Sequence, residues 1–233
     1  MELERLILED CSDLAVIHPS FSNLKKLVSL NVKQCSDLRE LPDLGPMRGL
    51  KELLIDQTSL PYLKSLKYLA LDGTGIVTLG ESIGSLEKLK TLSLKDCRGL
   101  SNLPDDIGKL RSLQFLDLSN TLIRELPPSV KNLKDMKVLR MRDTSIREFP
   151  EDILNLEKLE EIDFTSCRSL AGKIPDDIGR LSSLAILKLS DTRISGQLPP
   201  SISRLSRLRE IRISRCDNLQ KDDWFRTEEI QKK

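Results

Sequence analysis

The stretch from Leu89 to Cys97 reads L-K-T-L-S-L-K-D-C, and its L-x-x-L-x-L spacing with a small residue at the ninth position decides the fold. Ten copies of this phrase lie in the 233 residues, beginning 24, 23, 16, 23, 24, 23, 23, 25 and 24 residues apart. They begin at Leu3, Leu27, Leu50, Leu66, Leu89, Leu113, Met136, Leu159, Leu184 and Leu208. A fixed period of this length is typical of a solenoid, in which each coil buries its apolar face against its neighbours.

Each phrase predicts a short strand, because its leucines alternate with polar residues. The segment that follows is a turn, a Leu-Pro step and a brief amphipathic coil, as in residues 103–110. Proline lacks a backbone donor, which favours short 3₁₀ or irregular helices there. The sequence therefore predicts an α/β solenoid, a right-handed leucine-rich-repeat horseshoe with one continuous parallel β-sheet on its concave face and short 3₁₀ or irregular helices on its convex face.

The predicted organisation is a repeat domain over residues 1–219 and a C-terminal cap and polar tail over 220–233, where Trp224 and Phe225 cover the last coil. One repeat, residues 50–65, is shortened, although parallel neighbours need a crossover of about a dozen residues or more. Either the solenoid is pinched there or the gene carries a deletion. Since solenoids need polar caps and Leu3 opens the first repeat without one, we expect the chain to be a fragment.

The five cysteines all occupy the ninth position of a repeat, and threonine occupies it in the other five. They are Cys11, Cys35, Cys97, Cys167 and Cys216. This register predicts reduced, buried structural thiols, with a disulfide between Cys11 and Cys35 as the alternative. The repeat's next apolar residue follows three positions after Cys but two after Thr, and we hypothesise that the Thr hydroxyl bonds the turn backbone and tightens it.

Composition and motifs argue against several function classes. The 37 basic and 36 acidic residues balance, so no overall field favours nucleic acid. No apolar run approaches the roughly 18 residues of a membrane span, and no signal segment follows Met1. His18, the one histidine, lies at an edge, and Gly73-Thr74-Gly75 lacks the third glycine of a dinucleotide loop. We expect no enzyme, no cofactor and no metal site.

The phrases from Leu92 to Leu110 and from Leu116 to Pro127 resemble the leucine-rich repeats of plant intracellular nucleotide-binding leucine-rich-repeat disease-resistance proteins, especially the class with a Toll/interleukin-1-receptor-like domain. The resemblance spans nearly the whole chain. It implies a cytoplasmic or nucleo-cytoplasmic protein-interaction module that recognises a pathogen effector or a guarded host protein. The resemblance also implies that the repeats autoinhibit the nucleotide-binding domain of a longer parent chain. This sequence itself contains no G-x-x-x-x-G-K-[ST] loop.

Two alternatives stay open. One is a free-standing intracellular leucine-rich-repeat scaffold that binds a signalling protein. The other is a secreted inhibitor or receptor ectodomain, because residues 172–175 and 196–199 are similar to the G-x-I-P step of receptor-like proteins and polygalacturonase inhibitors. Against the secreted alternative, the ninth position never holds Asn and no asparagine begins an N-x-[ST] sequon.

The predicted partner surface is the concave face, where positions 3, 5, 7 and 8 of each phrase point outward. The fifth position changes from apolar or neutral residues in the first half to charges that alternate from Asp117 to Lys188. This ladder is either a set of cross-strand ion pairs or part of an interface rich in aromatic residues and arginine. The predicted contact residues are Tyr68, Phe115, Asp117, Arg140, Arg142, Asp163, Lys188, Arg212 and Arg215, with Phe115 and Arg140 at the centre.

Overall fold

The fold is described from a computed structural model of the chain. The residues that the structure describes are 2–32, 35, 38, 49–50, 52–54, 66–216 and 218–219. The predicted C-terminal cap with Trp224 and Phe225 and most of the shortened repeat lie outside these residues. No helix among the described residues is long and apolar enough to cross a bilayer.

The phrase of each repeat forms one short parallel strand, as its alternating leucines predict, and two repeats add a second strand after the phrase. The strands are β1 (Arg5–Ile7), β2 (Ser29–Asn31), β3 (Glu52–Leu54), β4 (Tyr68–Ala70), β5 (Thr91–Ser93), β6 (Phe115–Asp117), β7 (Val138–Arg140), β8 (Glu161–Asp163), β9 (Ala171–Gly172), β10 (Ile186–Lys188), β11 (Arg193–Ile194) and β12 (Glu210–Arg212). The order β4-β5-β6-β7-β8-β10-β12 forms a seven-stranded sheet, and β9 pairs with β11 in a second, two-stranded ladder. The predicted leucine-rich-repeat solenoid is confirmed.

The prediction of one continuous sheet is wrong for the described residues. Strands β1, β2 and β3 form a separate three-stranded sheet, and no pairing joins β3 to β4 within the described residues. Only 13 residues separate Leu54 from Tyr68, against 20 between Ala70 and Thr91. The shortened repeat therefore coincides with the break in strand pairing, and its connection is seven residues shorter than the one that follows β4.

The back of the solenoid is built from five-residue 3₁₀ helices, as the Leu-Pro steps predict. They span Pro19–Asn23, Glu81–Ser85, Asp105–Lys109, Pro128–Asn132, Glu151–Asn155, Asp176–Arg180 and Pro200–Arg204. Successive helices pack closely, and a Cβ on Gly108 would lie 2.5 Å from the carbonyl oxygen of Ser129. Leucines of the phrase fill the space between helices and sheet, and Leu89, Leu92 and Leu94 are fully buried.

Beneath the sheet, the ninth position forms a hydrogen-bonded layer. The Thr121 hydroxyl donates to the carbonyl oxygen of Leu118 at 2.7 Å, three residues earlier in its own turn. The Cys97 thiol instead donates to the carbonyl oxygen of Leu71 in the preceding coil at 3.1 Å. The proposed threonine bond to the turn backbone is thus present, whereas cysteine reaches one coil back and leaves its own turn one residue longer.

Four of the five cysteines are buried free thiols, as predicted. Burial raises the pKa of the Cys97 and Cys167 thiols, which disfavours the reactive thiolate. Cys11 is exposed, and for it the prediction of burial is wrong. Among the described residues no coil precedes that of Cys11, and its thiol only approaches the carbonyl oxygen of Glu9, at 4.0 Å.

The eighth position has a left-handed backbone, which the sequence prediction missed. Positive φ angles occur there in every coil whose eighth residue is described, in Asp10, Gly73, Asp96, Asn120, Asp143, Ser166, Asp191 and Arg215. Gly, Asn and Asp tolerate this conformation best, and their enrichment at this position was the available signal. The turn carries the chain from the sheet face to the lateral edge of the solenoid.

Candidate functional site

The outward face of the seven-stranded sheet places the predicted contact residues in straight columns. Asp117, Arg140, Asp163, Lys188 and Arg212 occupy equivalent positions on adjacent strands. Neighbouring strands lie about 4.8 Å apart, so these side chains are within reach of one another. The fifth-position ladder predicted from the sequence therefore exists in space.

The centre of this face is a chain of four charges across three strands. Glu161 Oε1 accepts from Lys188 Nζ at 3.0 Å and lies 3.5 Å from Arg140 Nε. Lys188 Nζ also lies 3.6 Å from Asp163 Oδ2. Two cations thus face two carboxylates, and the side chains of Glu161, Lys188 and Asp163 are only 13%, 20% and 5% exposed. The network is largely shielded from solvent and holds the Arg140 guanidinium in place.

Glu161 is the member that sequence analysis missed. It occupies the third position of its repeat, and the predicted ion pairs were sought along the fifth-position column alone. Arg140 pairs diagonally with Glu161, whereas Asp163 pairs with Lys188 as the ladder predicts. Glu161 would have been found by comparing the third-position and fifth-position residues of neighbouring repeats together.

The two buried aspartates of the ladder are also bound by the backbone of their own turns. Asp117 Oδ1 accepts from the Ser119 amide at 2.9 Å, and Asp163 Oδ1 accepts from the Thr165 amide at 3.0 Å. Both residues are buried, at 8% and 4% exposure. A buried carboxylate needs such partners, so these two aspartates belong to the fold as much as to the surface.

Phe115 and Arg140 form the centre of the predicted footprint. The Arg140 guanidinium lies over the Phe115 ring, 5.2 Å from its centroid, in a cation–π arrangement. Tyr68 occupies the same column two strands away on β4 and is 70% exposed. The face therefore presents an aromatic and guanidinium cluster with a free tyrosine at one end.

A depression of about 610 Å³ lies over the charged half of the face. Its charged and polar lining consists of Lys95, Asp117, Ser119, Asn120, Arg140, Arg142, Asp143, Asp163, Ser166, Arg168 and Lys188. Five of these residues are cationic and three are carboxylates. Lys95, Arg142 and Arg168 are exposed and form no ion pair within the described part of the chain, which leaves the depression with uncompensated positive charge.

Arg212 and Arg215 lie beyond this depression. Arg212 pairs with Glu210 of its own strand. Arg215 donates to Asp191 at 2.7 Å and has a φ of 56°. Five of the nine predicted contact residues thus line the depression, and Phe115 lies beside it under Arg140. Tyr68 lies to one side, and these two arginines lie on the other.

His18 is placed as a helix cap. Its Nδ1 accepts from the Ser20 amide at 3.1 Å, at the start of the Pro19–Asn23 helix, and lies 2.8 Å from the Ser20 hydroxyl. The histidine and the serine are two residues apart in one exposed turn. The contact satisfies an amide at the helix start, which is the ordinary task of a capping side chain.

Comparisons with known proteins agree with the repeat pattern. Residues 97–171 match the family described as leucine-rich repeat region, and residues 183–205 match the Leucine Rich Repeat family. The chain is 31% identical to TMV resistance protein N of Nicotiana glutinosa over 198 residues, which cover 79% of this chain and 17% of that protein. It is 35% identical to disease resistance protein RPS4B of Arabidopsis thaliana over 117 residues, covering 50% of this chain and 8% of that one. The match spans less than a fifth of these relatives.

Solved structures show the same architecture. A leucine-rich-repeat protein of Leptospira interrogans superposes with a TM-score of 0.59 at 26% identity, over 91% of this chain and 54% of that one. The repeat ectodomain of the Arabidopsis thaliana membrane receptor kinase GASSHO1/SCHENGEN3 superposes with a TM-score of 0.51 at 25% identity, over 86% and 28%. The chain is thus a leucine-rich-repeat solenoid whose sequence is similar to plant disease-resistance proteins.

Proposed function

We infer that this leucine-rich-repeat domain, similar in sequence to the repeat regions of plant disease-resistance proteins, is a protein-binding module of plant innate immunity. Its task is to recognise a pathogen effector or a guarded host protein. Within a longer, cytoplasmic or nucleo-cytoplasmic parent chain, it also restrains the nucleotide-binding domain. The resemblance to Toll/interleukin-1-receptor-like resistance proteins supports this assignment.

The observation that carries the proposal is the Phe115–Arg140 cluster at the rim of the charged depression. Arginine and aromatic residues dominate the energetics of protein interfaces. Glu161 and Phe115 fix Arg140 before a partner arrives, which reduces the side-chain entropy lost on binding. Lys95, Arg142 and Arg168 add free donors around it, so the depression suits a protein surface that carries carboxylates.

The test is capture of partners from plant leaf extract by the immobilised chain, quantified by mass spectrometry. The variant Phe115→Ala, Arg140→Ala removes the centre of the face. The control variant Lys88→Ala, Arg111→Ala removes two exposed cations from the turns that precede β5 and β6. We expect specific partners to be lost, by about tenfold or more, only with the first variant. Equal capture by both variants would contradict the assignment of the face.

A second candidate function is favoured by one structural feature. Gly172 and Gly196 have φ angles of 89° and 81° in the turns around the β9–β11 ladder, where the sequence is similar to secreted plant repeat proteins. A signal peptide upstream in the parent transcript would favour this secreted inhibitor or ectodomain. An upstream P-loop would favour the resistance protein, and a genuine start at Met1 without one would favour a free-standing scaffold.

A further inference from the structure

A second charged surface lies on the lateral edge of the solenoid, where the chain leaves the sheet face. Six cations occupy this edge in five successive coils: Arg98, Arg124, Arg147, Arg168, Lys173 and Arg193. All six are exposed. We call this set the lateral edge cations.

Backbone hydrogen bonds between neighbouring coils run along this edge and involve Arg124, Arg147 and Arg193. The Arg147 amide donates to the Arg124 carbonyl at 3.3 Å, and the Ala171 amide donates to the Arg147 carbonyl at 2.9 Å. The Arg193 amide continues the series to the Leu170 carbonyl at 2.8 Å. With about 4.8 Å between coils, four steps span about 20 Å. Arg124, Arg147 and Arg193 therefore lie on this backbone ladder, and the other three cations lie within three residues of it in the sequence.

None of the lateral edge cations makes an ion pair or a side-chain hydrogen bond with any described residue. On the rest of the surface some cations pair, as Lys158 does with Asp135 at 2.7 Å and Lys137 with Glu160 at 3.4 Å, whereas Lys95 and Arg142 do not pair with any described residue. Free cations in a row repel one another, and the fold gains nothing visible from their alignment. Their positions are thus explained better by a ligand than by the stability of the solenoid.

The chemistry of the edge indicates what that ligand is. Five of the six cations are arginines, whose planar guanidinium binds carboxylates and phosphates through two parallel hydrogen bonds. Glu125 and Glu148 lie beside Arg124 and Arg147 and are exposed, so an anionic bilayer or a polyphosphate chain would meet two like charges. Leu122, 49% exposed on the same edge, adds an apolar contact. A protein segment matches this mixture, because it can place its own cations opposite the two glutamates.

We propose that the lateral edge cations bind an acidic segment of a partner protein. This surface is distinct from the Phe115–Arg140 cluster and meets the depression only at Arg168. An extended segment of about six residues spans the lateral edge cations. Its carboxylates pair with successive arginines, and salt weakens the complex because the contacts are exposed.

The test uses a fluorescent peptide of alternating Glu and Ser, about eight residues long so that it spans the lateral edge cations. Fluorescence anisotropy measures its Kd for the full chain at low salt and at an ionic strength of about 0.15 M. We expect Arg124→Glu, Arg147→Glu to raise Kd by about tenfold or more, because a rim charge is reversed at two central positions. The control Lys88→Glu, Arg111→Glu has the same charge change on other turns and leaves Kd within about twofold.

Further measurements separate an acidic protein segment from other ligands and from the concave face. A control peptide in which Gln replaces every Glu should not bind. Phosphatidylserine vesicles and single-stranded DNA should bind more weakly than the acidic peptide. Tighter binding of the vesicles or the DNA than of the acidic peptide would overturn the proposal. So would an equal rise in the peptide Kd in Arg124→Glu, Arg147→Glu and in the control Lys88→Glu, Arg111→Glu. If the Glu variant melts at a lower temperature, Arg124→Gln, Arg147→Gln replaces it. The Phe115→Ala, Arg140→Ala variant should keep the peptide Kd. A loss equal to that of Arg124→Glu, Arg147→Glu would place the acidic peptide in the depression and overturn this proposal without affecting the concave-face function.

Discussion

The centre of the sheet face and the lateral edge carry the same kinds of charged residue, but only those at the centre of the face are paired with one another. On the face, Arg140 and Lys188 share Glu161, and Asp163 is bound by both Lys188 and a turn amide. On the edge, the six cations have no partner among the described residues. The difference shows that charge alternation along a solenoid column is partly a property of the fold, whereas charge left unpaired on a rigid edge is available to a ligand.

The largest expected effect is at the most buried member of the face network. Asp163→Ala should lower the free energy of unfolding by about 2–3 kcal/mol, because it leaves the Thr165 amide without its acceptor and Lys188 with one partner fewer. Asp163→Asn keeps an oxygen for the Thr165 amide and should lose less than half as much. Urea unfolding gives both values. If Asp163→Ala were as stable as the wild type, the charges of the face would contribute as little to the stability of the fold as the unpaired charges of the edge.

The layer beneath the face gives the next effect. Thr121→Val should lower the free energy of unfolding by about 1–2 kcal/mol, because the Leu118 carbonyl loses its hydroxyl donor. Thr121→Ser restores the hydroxyl and serves as the matched control in the same thermal melts. A Val variant as stable as Ser would show that the threonine bond does not tighten the turn.

A smaller effect is expected where the chain passes from face to edge. Gly73 has a φ of 68° and no heavy atom within 4 Å of an added Cβ, so Gly73→Ala introduces backbone strain alone. It should cost about 1 kcal/mol. Gly73→Asn, a residue that tolerates the left-handed region, should cost clearly less in the same urea series. If Ala and Asn cost the same, the left-handed turn is not what limits this position.

The smallest effect should be on the edge itself. Arg124→Gln, Arg147→Gln should change the free energy of unfolding by less than about 0.5 kcal/mol, since neither side chain contacts a partner. Because the substitutions also remove repulsion between the two cations, we expect the free energy of unfolding to rise slightly as readily as it falls. Differential scanning calorimetry at low salt, where repulsion is strongest, is the suitable measurement. A loss above about 1 kcal/mol would mean that the edge cations support the fold after all.

Much of the fold follows from the sequence because one short phrase fixes both strand and burial. The period predicted β5 to β8, the 3₁₀ helices and the buried thiols such as Cys97. The break between β3 and β4 lies at the shortened repeat that the leucine spacing singled out, but the spacing did not decide between a pinched solenoid and a gene deletion. Cys11 was mispredicted because burial at the ninth position requires a preceding coil, which lies outside the phrase itself.

The candidate site was harder to predict, because contacts across strands depend on side-chain direction. Arg140 reaches diagonally to Glu161, a choice that the column order does not determine. The lateral edge was missed because its cations occupy three different repeat positions. Arg98, Arg168 and Arg193 directly follow the ninth residue, Arg124 and Arg147 come two residues later, and Lys173 lies further along its coil. Only the backbone ladder shows that these positions share one edge.

A double-mutant cycle between Glu161 and Lys188 tests most directly whether the face charges are held by the fold. The variants Glu161→Gln, Lys188→Met and their combination are compared by urea unfolding, with Arg124→Gln and Arg147→Gln as the parallel cycle on the edge. We predict a stabilising coupling of at least about 0.5 kcal/mol for the face pair and additivity within about 0.3 kcal/mol for the edge pair. Additive losses at Glu161 and Lys188, or a stabilising coupling between the two edge arginines, would contradict the account.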